Sequence, residues 1–126
     1  MIDLFTASTS NGYYVSITLD ELQLAYTVLE FELSAFELKE EWFLKINPNG
    51  RIPAITDRDN DNFIVFESAT IMQYLAKKTA SLLGQKAYNH SEIIQWLMFQ
   101  MGGSGPMMGQ TNTFSRNTKE KIPYAI

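Results

Sequence analysis

Residues 47–57 read N-P-N-G-R-I-P-A-I-T-D. Pro48, Asn49 and Gly50 are turn formers, and Ile52 to Thr56 are mostly apolar and β-favouring, so a turn running into a strand is expected. Pro53 lies inside that strand. Proline has no N–H for a ladder and is confined to edges, strand starts or special bonds. A cis Ile52–Pro53 bond is one answer, although cis bonds are a small minority of X-Pro bonds. It would turn the backbone at the strand start and expose the N–H and C=O of Ile52 to an extended ligand, bound as a short added strand.

Downstream, Asp57 to Asn62 form a polar turn and Phe63 to Phe66 a second strand, so 52–66 is an antiparallel hairpin. Ser68 then suits the N-cap of a helix with apolar positions at Ile71, Met72, Leu75 and Ala76. Upstream, a short helix over Glu37 to Ile46 carries Trp42 and Phe43 and is stopped by Asn47-Pro48. Thr27 to Phe31 is β-branched and apolar, hence a strand. Val15, Leu19 and Leu22 recur at helical spacing from Tyr13 onward, and Ile2 to Phe5 is a short apolar strand. The order is β-α-β-α-β-β-α. With a parallel first crossover and an antiparallel hairpin, it predicts an α/β domain with one mixed four-stranded sheet over residues 1–78.

Beyond it, residues 79–87 read as a linker and 88–126 as the start of an all-α segment. A helix over Ser91 to Met101 is interrupted by Gly102-Gly103-Ser104-Gly105-Pro106, and the tail is mostly polar. So short a segment cannot close a core alone. Trp96, Phe99, Met107 and Met108 point to self-association, with a homodimer as the expected form.

The 126 residues are 45% hydrophobic and 19% charged, with a net charge of −4, a globular composition. Ten Lys and Arg are scattered with no run beyond Lys77-Lys78, which argues against a nucleic-acid partner. There is no cysteine, so disulfide frameworks, thiolate metal sites and a protein-borne C-x-x-C couple are excluded. No apolar stretch is long enough to span a membrane and no signal peptide is visible, so a cytoplasmic location is expected. His90 is the only histidine. Asp57, Asp59 and Asp61 alternate like a calcium loop, but Asn62 stands where glycine is needed and Ser68 where glutamate is needed. No metal site is expected. The glycines of 102–109 are not a phosphate loop, since no Gly-Lys-Ser/Thr follows and they leave a helix rather than a strand.

One further pair carries chemistry. Glu67-Ser68 stands at a helix start, where free N–H groups and positive potential suit a carboxylate. Glu67 could answer an ammonium, and the two together could hold an amino-acid head group. An ordinary N-cap is the competing reading.

The element order, with N-P-N-G-R-I-P-A-I at 47–55 and F-E-S-A-T-I-M-Q-Y-L at 66–75, closely resembles the thioredoxin-like N-terminal domain of cytosolic glutathione transferases. M-I-D-L-F-T-A-S-T-S-N-G at 1–12, Q-W-L-M-F-Q-M-G-G-S-G-P-M-M-G-Q at 95–110 and K-I-P-Y-A-I at 121–126 are similar to two branches. These are the nu-class bacterial enzymes and the fungal branch that includes the yeast prion-forming nitrogen regulator. The resemblance implies a cis Pro53, Ile52 pairing with the cysteinyl backbone of glutathione, and Glu67 and Ser68 holding the γ-glutamyl head. It also implies Thr9 and Asn11 beside the glutathione sulfur, with Ser8, Ser10 and Ser16 nearby. Glutathione would be the co-substrate, bringing the sulfur that the chain lacks. Where this branch usually offers a glutamine near position 38, the chain reads Ala35-Phe36-Glu37-Leu38-Lys39, which leaves Lys39 and Arg51 as candidates for the glycyl carboxylate. The family's helical C-terminal domain is longer than residues 88–126, so that domain is expected to be truncated. The implied activity is reduction of disulfides or peroxides by glutathione, with weak conjugation of electrophiles. The alternative is a non-catalytic glutathione-binding or regulatory module.

Overall fold

A computed structural model describes residues 1–32, 36–84 and 86–125. The chain divides into two compact units, residues 1–83 and 84–126.

The first unit runs β1 (Ile2–Thr6), α1 (Ser10–Glu21), β2 (Tyr26–Glu30), a 3₁₀ turn (Phe36–Lys39), α2 (Glu41–Leu44), β3 (Ala54–Asp57), β4 (Phe63–Phe66) and α3 (Ser68–Thr79). The sheet order is β2-β1-β3-β4, with β1 parallel to β2 and antiparallel to β3, and β3 antiparallel to β4. This is the expected mixed sheet of the thioredoxin-like fold.

Alternation along the strands sorts the core into two clusters. Ile2 and Leu4 of β1, Ile55 of β3 and Val65 of β4 pack with Val15 and Leu19 of α1 and Ile71 and Leu75 of α3. Phe5 and Ala54, on the other face, meet Phe31 and Phe43. Trp42 joins that aromatic group, its ring stacked on Phe31 at 6.0 Å between centroids. β2 is an edge strand with Val28 and Leu29 exposed.

Several boundaries differ from the sequence reading for local reasons. α1 begins at Ser10 rather than at Tyr13, because the Thr9 hydroxyl accepts the Gly12 N–H at 3.2 Å and caps the helix there. Asn11 and Gly12 are therefore helical rather than loop residues. The expected helix over 37–46 is split, because Glu40 is extended (φ −67°, ψ 145°) between the 3₁₀ turn and α2. β3 starts at Ala54, after the proline. Ser68 is the first residue of α3 rather than its cap; the cap position is Glu67.

In the second unit, α4 (Ala87–Phe99) passes through a π-helical turn (Gln100–Ser104) into α5 (Gly105–Asn112) and a second π turn (Thr113–Asn117). Gly102 to Pro106 therefore do not end the helix: Pro106 falls in the first turn of α5, where a missing N–H is tolerated. The extra residue of the π turn at 100–104 absorbs the irregularity. A 3₁₀ turn spans Pro123–Ala125. Within this unit Trp96, Phe99, Met107 and Met108 are exposed, and the Trp96 and Phe99 rings meet edge to face. No helix among the described residues is long and apolar enough to cross a membrane.

Candidate functional site

The sheet register assembles the site. Phe5 pairs with Ala54, and Ala54 pairs with Phe66. The C-terminal end of β1, the N-terminal end of β3 and the C-terminal end of β4 therefore lie side by side. Three connections leave or enter at that one edge: Ala7 to Thr9 leading into α1, Ile52-Pro53 leading into β3, and Glu67-Ser68 leading into α3. Thr9, Asn11, Ile52, Pro53, Glu67 and Ser68 are thus gathered from positions up to the middle of the chain.

Thr9 is half-buried and Asn11 is exposed in the first turn of α1. The Thr9 hydroxyl accepts from Gly12 N, which leaves its own O–H as a donor. Gly12 is required by space: a Cβ there would lie 2.4 Å from the Ala7 carbonyl oxygen and from Thr6 Oγ1. The Ser8 and Tyr13 hydroxyls hydrogen-bond to each other. Together with Thr6, Ser16, Val28 and Glu30 they line a pocket of about 180 Å³ beside the β1–α1 connection. Ser10 is exposed at the helix start.

The Ile52–Pro53 peptide bond is cis, as expected, with Ile52 half-buried and Pro53 buried. The preceding turn is fastened from within. Asn47, buried to 2% exposure, donates from Nδ2 to the Arg51 carbonyl oxygen at 2.7 Å and accepts the Asn49 N–H on Oδ1 at 3.0 Å. Gly50 takes φ +59°, and its N–H donates to the Asn47 carbonyl at 2.8 Å. A Cβ on Gly50 would meet the Leu38 carbonyl oxygen at 2.6 Å.

Lys39, at the end of the 3₁₀ turn, donates from Nζ to the carbonyl oxygens of Asn49 and Gly50 at 3.0 and 3.1 Å. An ammonium has three N–H groups, so one stays uncommitted by these bonds. Arg51 is exposed immediately beside Ile52. Lys39 and Arg51 therefore flank the same turn. Ala35, part of the stretch that replaces the family's glutamine, lies outside the described residues.

Glu67 is exposed and has φ +70° with ψ 119°, a conformation that costs a non-glycine residue about 1–3 kcal/mol. Ser68 behind it is buried to 2% exposure. Glu67 also borders a groove of about 510 Å³ that runs along β4 and α3 past Thr70, Gln73, Tyr74 and Lys77. Among the described residues no cluster of His, Asp or Glu could hold a metal ion.

Sequence reasoning passed over Asn47 and read it only as a helix stop. The spacing N-x-N-G, with a side-chain acceptor two residues before a backbone donor, was the signal available for it.

Residues 2–77 match the family model for the glutathione S-transferase N-terminal domain. The whole chain is 38% identical, over 130 aligned residues, to the disulfide-bond oxidoreductase YfcG of Escherichia coli and spans 60% of that protein's length. A glutathione transferase homologue from Lodderomyces elongisporus, solved with two glutathione molecules per subunit, is 41% identical with a TM-score of 0.91. That likeness covers 99% of this chain and 61% of the other. The nitrogen-regulation fragment of the yeast prion protein Ure2p is 34% identical with a TM-score of 0.94, covering 98% of this chain and 58% of the fragment.

Proposed function

Since the chain belongs to the glutathione S-transferase family through its N-terminal domain, we propose that it binds glutathione along the sheet edge formed by Thr9–Asn11, Ile52–Pro53 and Glu67–Ser68. We further propose that it uses the bound thiolate to reduce disulfides. The observation that carries this reading is the register that sets Phe5, Ala54 and Phe66 in one row and so brings the three connections together.

Each end of the tripeptide has an answering group. The γ-glutamyl carboxylate meets the N-terminus of α3 and the Ser68 hydroxyl, and its ammonium meets Glu67. The cysteinyl backbone pairs with the N–H and C=O of Ile52 as an added strand. The glycyl carboxylate meets Lys39 and Arg51. The sulfur lies at the N-terminus of α1, where the Thr9 O–H, the Asn11 amide and the helix potential favour thiolate over thiol.

The chemistry is two successive exchanges. The bound thiolate attacks one sulfur of a substrate disulfide; a glutathione–substrate S–S bond forms and the other half leaves as a thiolate that takes up a proton. A second glutathione thiolate attacks the glutathione sulfur of that mixed disulfide and releases the remaining half as a thiol. Two glutathiones are oxidised to one glutathione disulfide, and one substrate disulfide is reduced to two thiols. The name of the E. coli relative supports disulfide chemistry, and the two glutathione molecules in the Lodderomyces structure support room for two glutathiones in proteins of this kind. Peroxide reduction and weak conjugation of electrophiles would use the same thiolate.

The test is turnover of hydroxyethyl disulfide and of cumene hydroperoxide with glutathione, beside glutathione binding by calorimetry. Turnover of the disulfide is the expected result; retained binding without any turnover would sink the enzymatic reading. A second reading, a glutathione-binding interaction module, is favoured by the likeness to the nitrogen-regulation fragment of Ure2p and is what that negative result would leave standing. Self-association through a homodimer belongs to the proposal, and a monodisperse monomer in sedimentation would contradict it. The chain spans about 60% of the length of the E. coli relative.

A further inference from the structure

We propose that Asn47 is the positioning residue for the central backbone donor of this groove, acting through the Arg51 carbonyl. The inference rests on the glutathione-binding reading above and extends it to a residue that touches no ligand.

The argument is one of covalent geometry. The Arg51 carbonyl and the Ile52 N–H belong to one peptide unit, and that unit is trans, since the cis bond is the next one along. In a planar trans peptide the C=O and N–H point in opposite directions. Whatever holds the Arg51 oxygen therefore aims the Ile52 N–H the other way. Asn47 Nδ2 holds that oxygen at 2.7 Å. Asn47 is itself held by three further bonds: its side-chain Oδ1 accepts the Asn49 N–H, its backbone carbonyl accepts the Gly50 N–H, and its backbone N–H donates to the Phe43 carbonyl at 2.8 Å. Phe43 is fully buried in the aromatic cluster beneath the sheet. The chain of contact thus runs from core to Phe43 carbonyl, to Asn47, to the Arg51 oxygen, to the outward Ile52 N–H. Lys39 fastens the neighbouring carbonyls of Asn49 and Gly50 and leaves the Arg51 oxygen to Asn47.

A buried side chain at 2% exposure with both amide atoms engaged is usually explained by the turn alone. The turn, however, needs only Oδ1, which accepts within the loop as an Asx turn. The Nδ2 bond does separate work, because it reaches past the turn to the peptide that carries the ligand-facing donor.

Two variants separate these roles. Asn47→Ser keeps a short acceptor for the Asn49 N–H and cannot reach Arg51; Asn47→Asp keeps the acceptor and replaces the donor by a second oxygen. Calorimetry or ligand-detected NMR would compare two probes: glutathione, and γ-glutamyl methylamide, which has the γ-glutamyl head but no cysteinyl residue. The expected result is a loss of ~10-fold in glutathione affinity in both variants, the size of one hydrogen bond, with binding of the methylamide unchanged. Equal affinity of the wild type and both variants for glutathione would overturn the role of Asn47 and leave the groove intact. Parallel loss of both probes, or unfolding of both variants in thermal melts, would mark Asn47 as structural only and also overturn it. Failure of the wild-type chain to bind glutathione would overturn the groove itself, and this inference with it.

Discussion

Lys78 Nζ lies 2.6 Å from Asp57 Oδ2, joining the end of β3 to the last turn of α3 at the edge of the sheet opposite the groove. Asp57 is fully buried, and the same oxygen accepts the Tyr74 hydroxyl at 2.6 Å. Burial raises the Asp57 pKa, but hydrogen bonds from Lys78 and Tyr74, the Lys78 charge and the Asp59 N–H more than offset it, so the net shift is downward. A carboxyl with a lowered folded pKa stabilises the fold above its unfolded value of about 4, and that contribution is lost as pH falls through the folded value. Acid titration of stability should therefore show a loss below about pH 4 in the wild type that Asp57→Asn lacks.

Removing the cation isolates a different quantity. Lys78→Met leaves Asp57 buried with fewer partners and should cost about 1.5–3 kcal/mol in chemical denaturation. Lys45→Met, which breaks only the exposed Lys45–Glu41 pair at 2.9 Å, should cost no more than about 0.5 kcal/mol. Equal costs would mean that burial does not distinguish the two pairs.

Thr9 and Asn11 should part company on stability. Thr9→Ala removes the cap of α1 and should cost about 1 kcal/mol as well as turnover. Asn11→Ala alters an exposed side chain and should stay within about 0.5 kcal/mol of wild type while cutting turnover. Turnover unchanged in Asn11→Ala would remove that residue from the site.

Glu67→Gly trades strain against chemistry. Glycine adopts φ +70° without steric cost, so the variant should be as stable as wild type or more stable by up to about 1 kcal/mol, yet bind glutathione more weakly. A thermal melt and a binding isotherm on the same sample check both halves.

Gly50→Ala is the reverse case. It places a Cβ against the Leu38 carbonyl at φ +59°, and the left-handed conformation alone costs about 1–2 kcal/mol. Loss of at least that amount in denaturant, with weaker glutathione binding, is expected.

The element order was legible because each strand and helix carries its own periodicity: Val15 and Leu19 at helical spacing, Ile2 and Leu4 alternating in β1. The cis bond at Pro53 was legible only in company: a proline inside a strand pattern leaves edge, strand-start and cis readings open, and the resemblance carried by residues 47–55 and 66–75 selected the cis one. What escaped were features set by single hydrogen bonds and local backbone geometry, which hydrophobic periodicity does not carry. The early start of α1 depends on a single hydroxyl, Thr9, accepting from Gly12. The break at Glu40 lies in a stretch whose helical pattern looked continuous. Helix through Gly102 to Pro106 was missed because glycine and proline were read as breakers, whereas a π turn carries the chain across them. The Thr9, Ile52 and Glu67 stations could be named from wording alone, but their convergence follows from the strand register, and the inward fastening by Asn47 depends on a side chain that pattern reading treats as punctuation.

The row Phe5–Ala54–Phe66 also has a kinetic side. β1 can meet β3 only after a long stretch of chain has closed; Asp3 and Arg58, which hydrogen-bond at the far end of the same strand pair, are 55 positions apart. Non-local pairings of this kind form late and slowly, since the entropy of closing the loop is spent before the contacts reward it. The Ile52–Pro53 and Glu67–Ser68 connections meet within the β3–β4 hairpin, but the proposed Thr9–Asn11 station joins them only through that closure, so a nascent chain that has made α1 or the hairpin holds at most part of the proposed groove. Glutathione, engaging only the finished sheet edge, would slow unfolding without speeding folding.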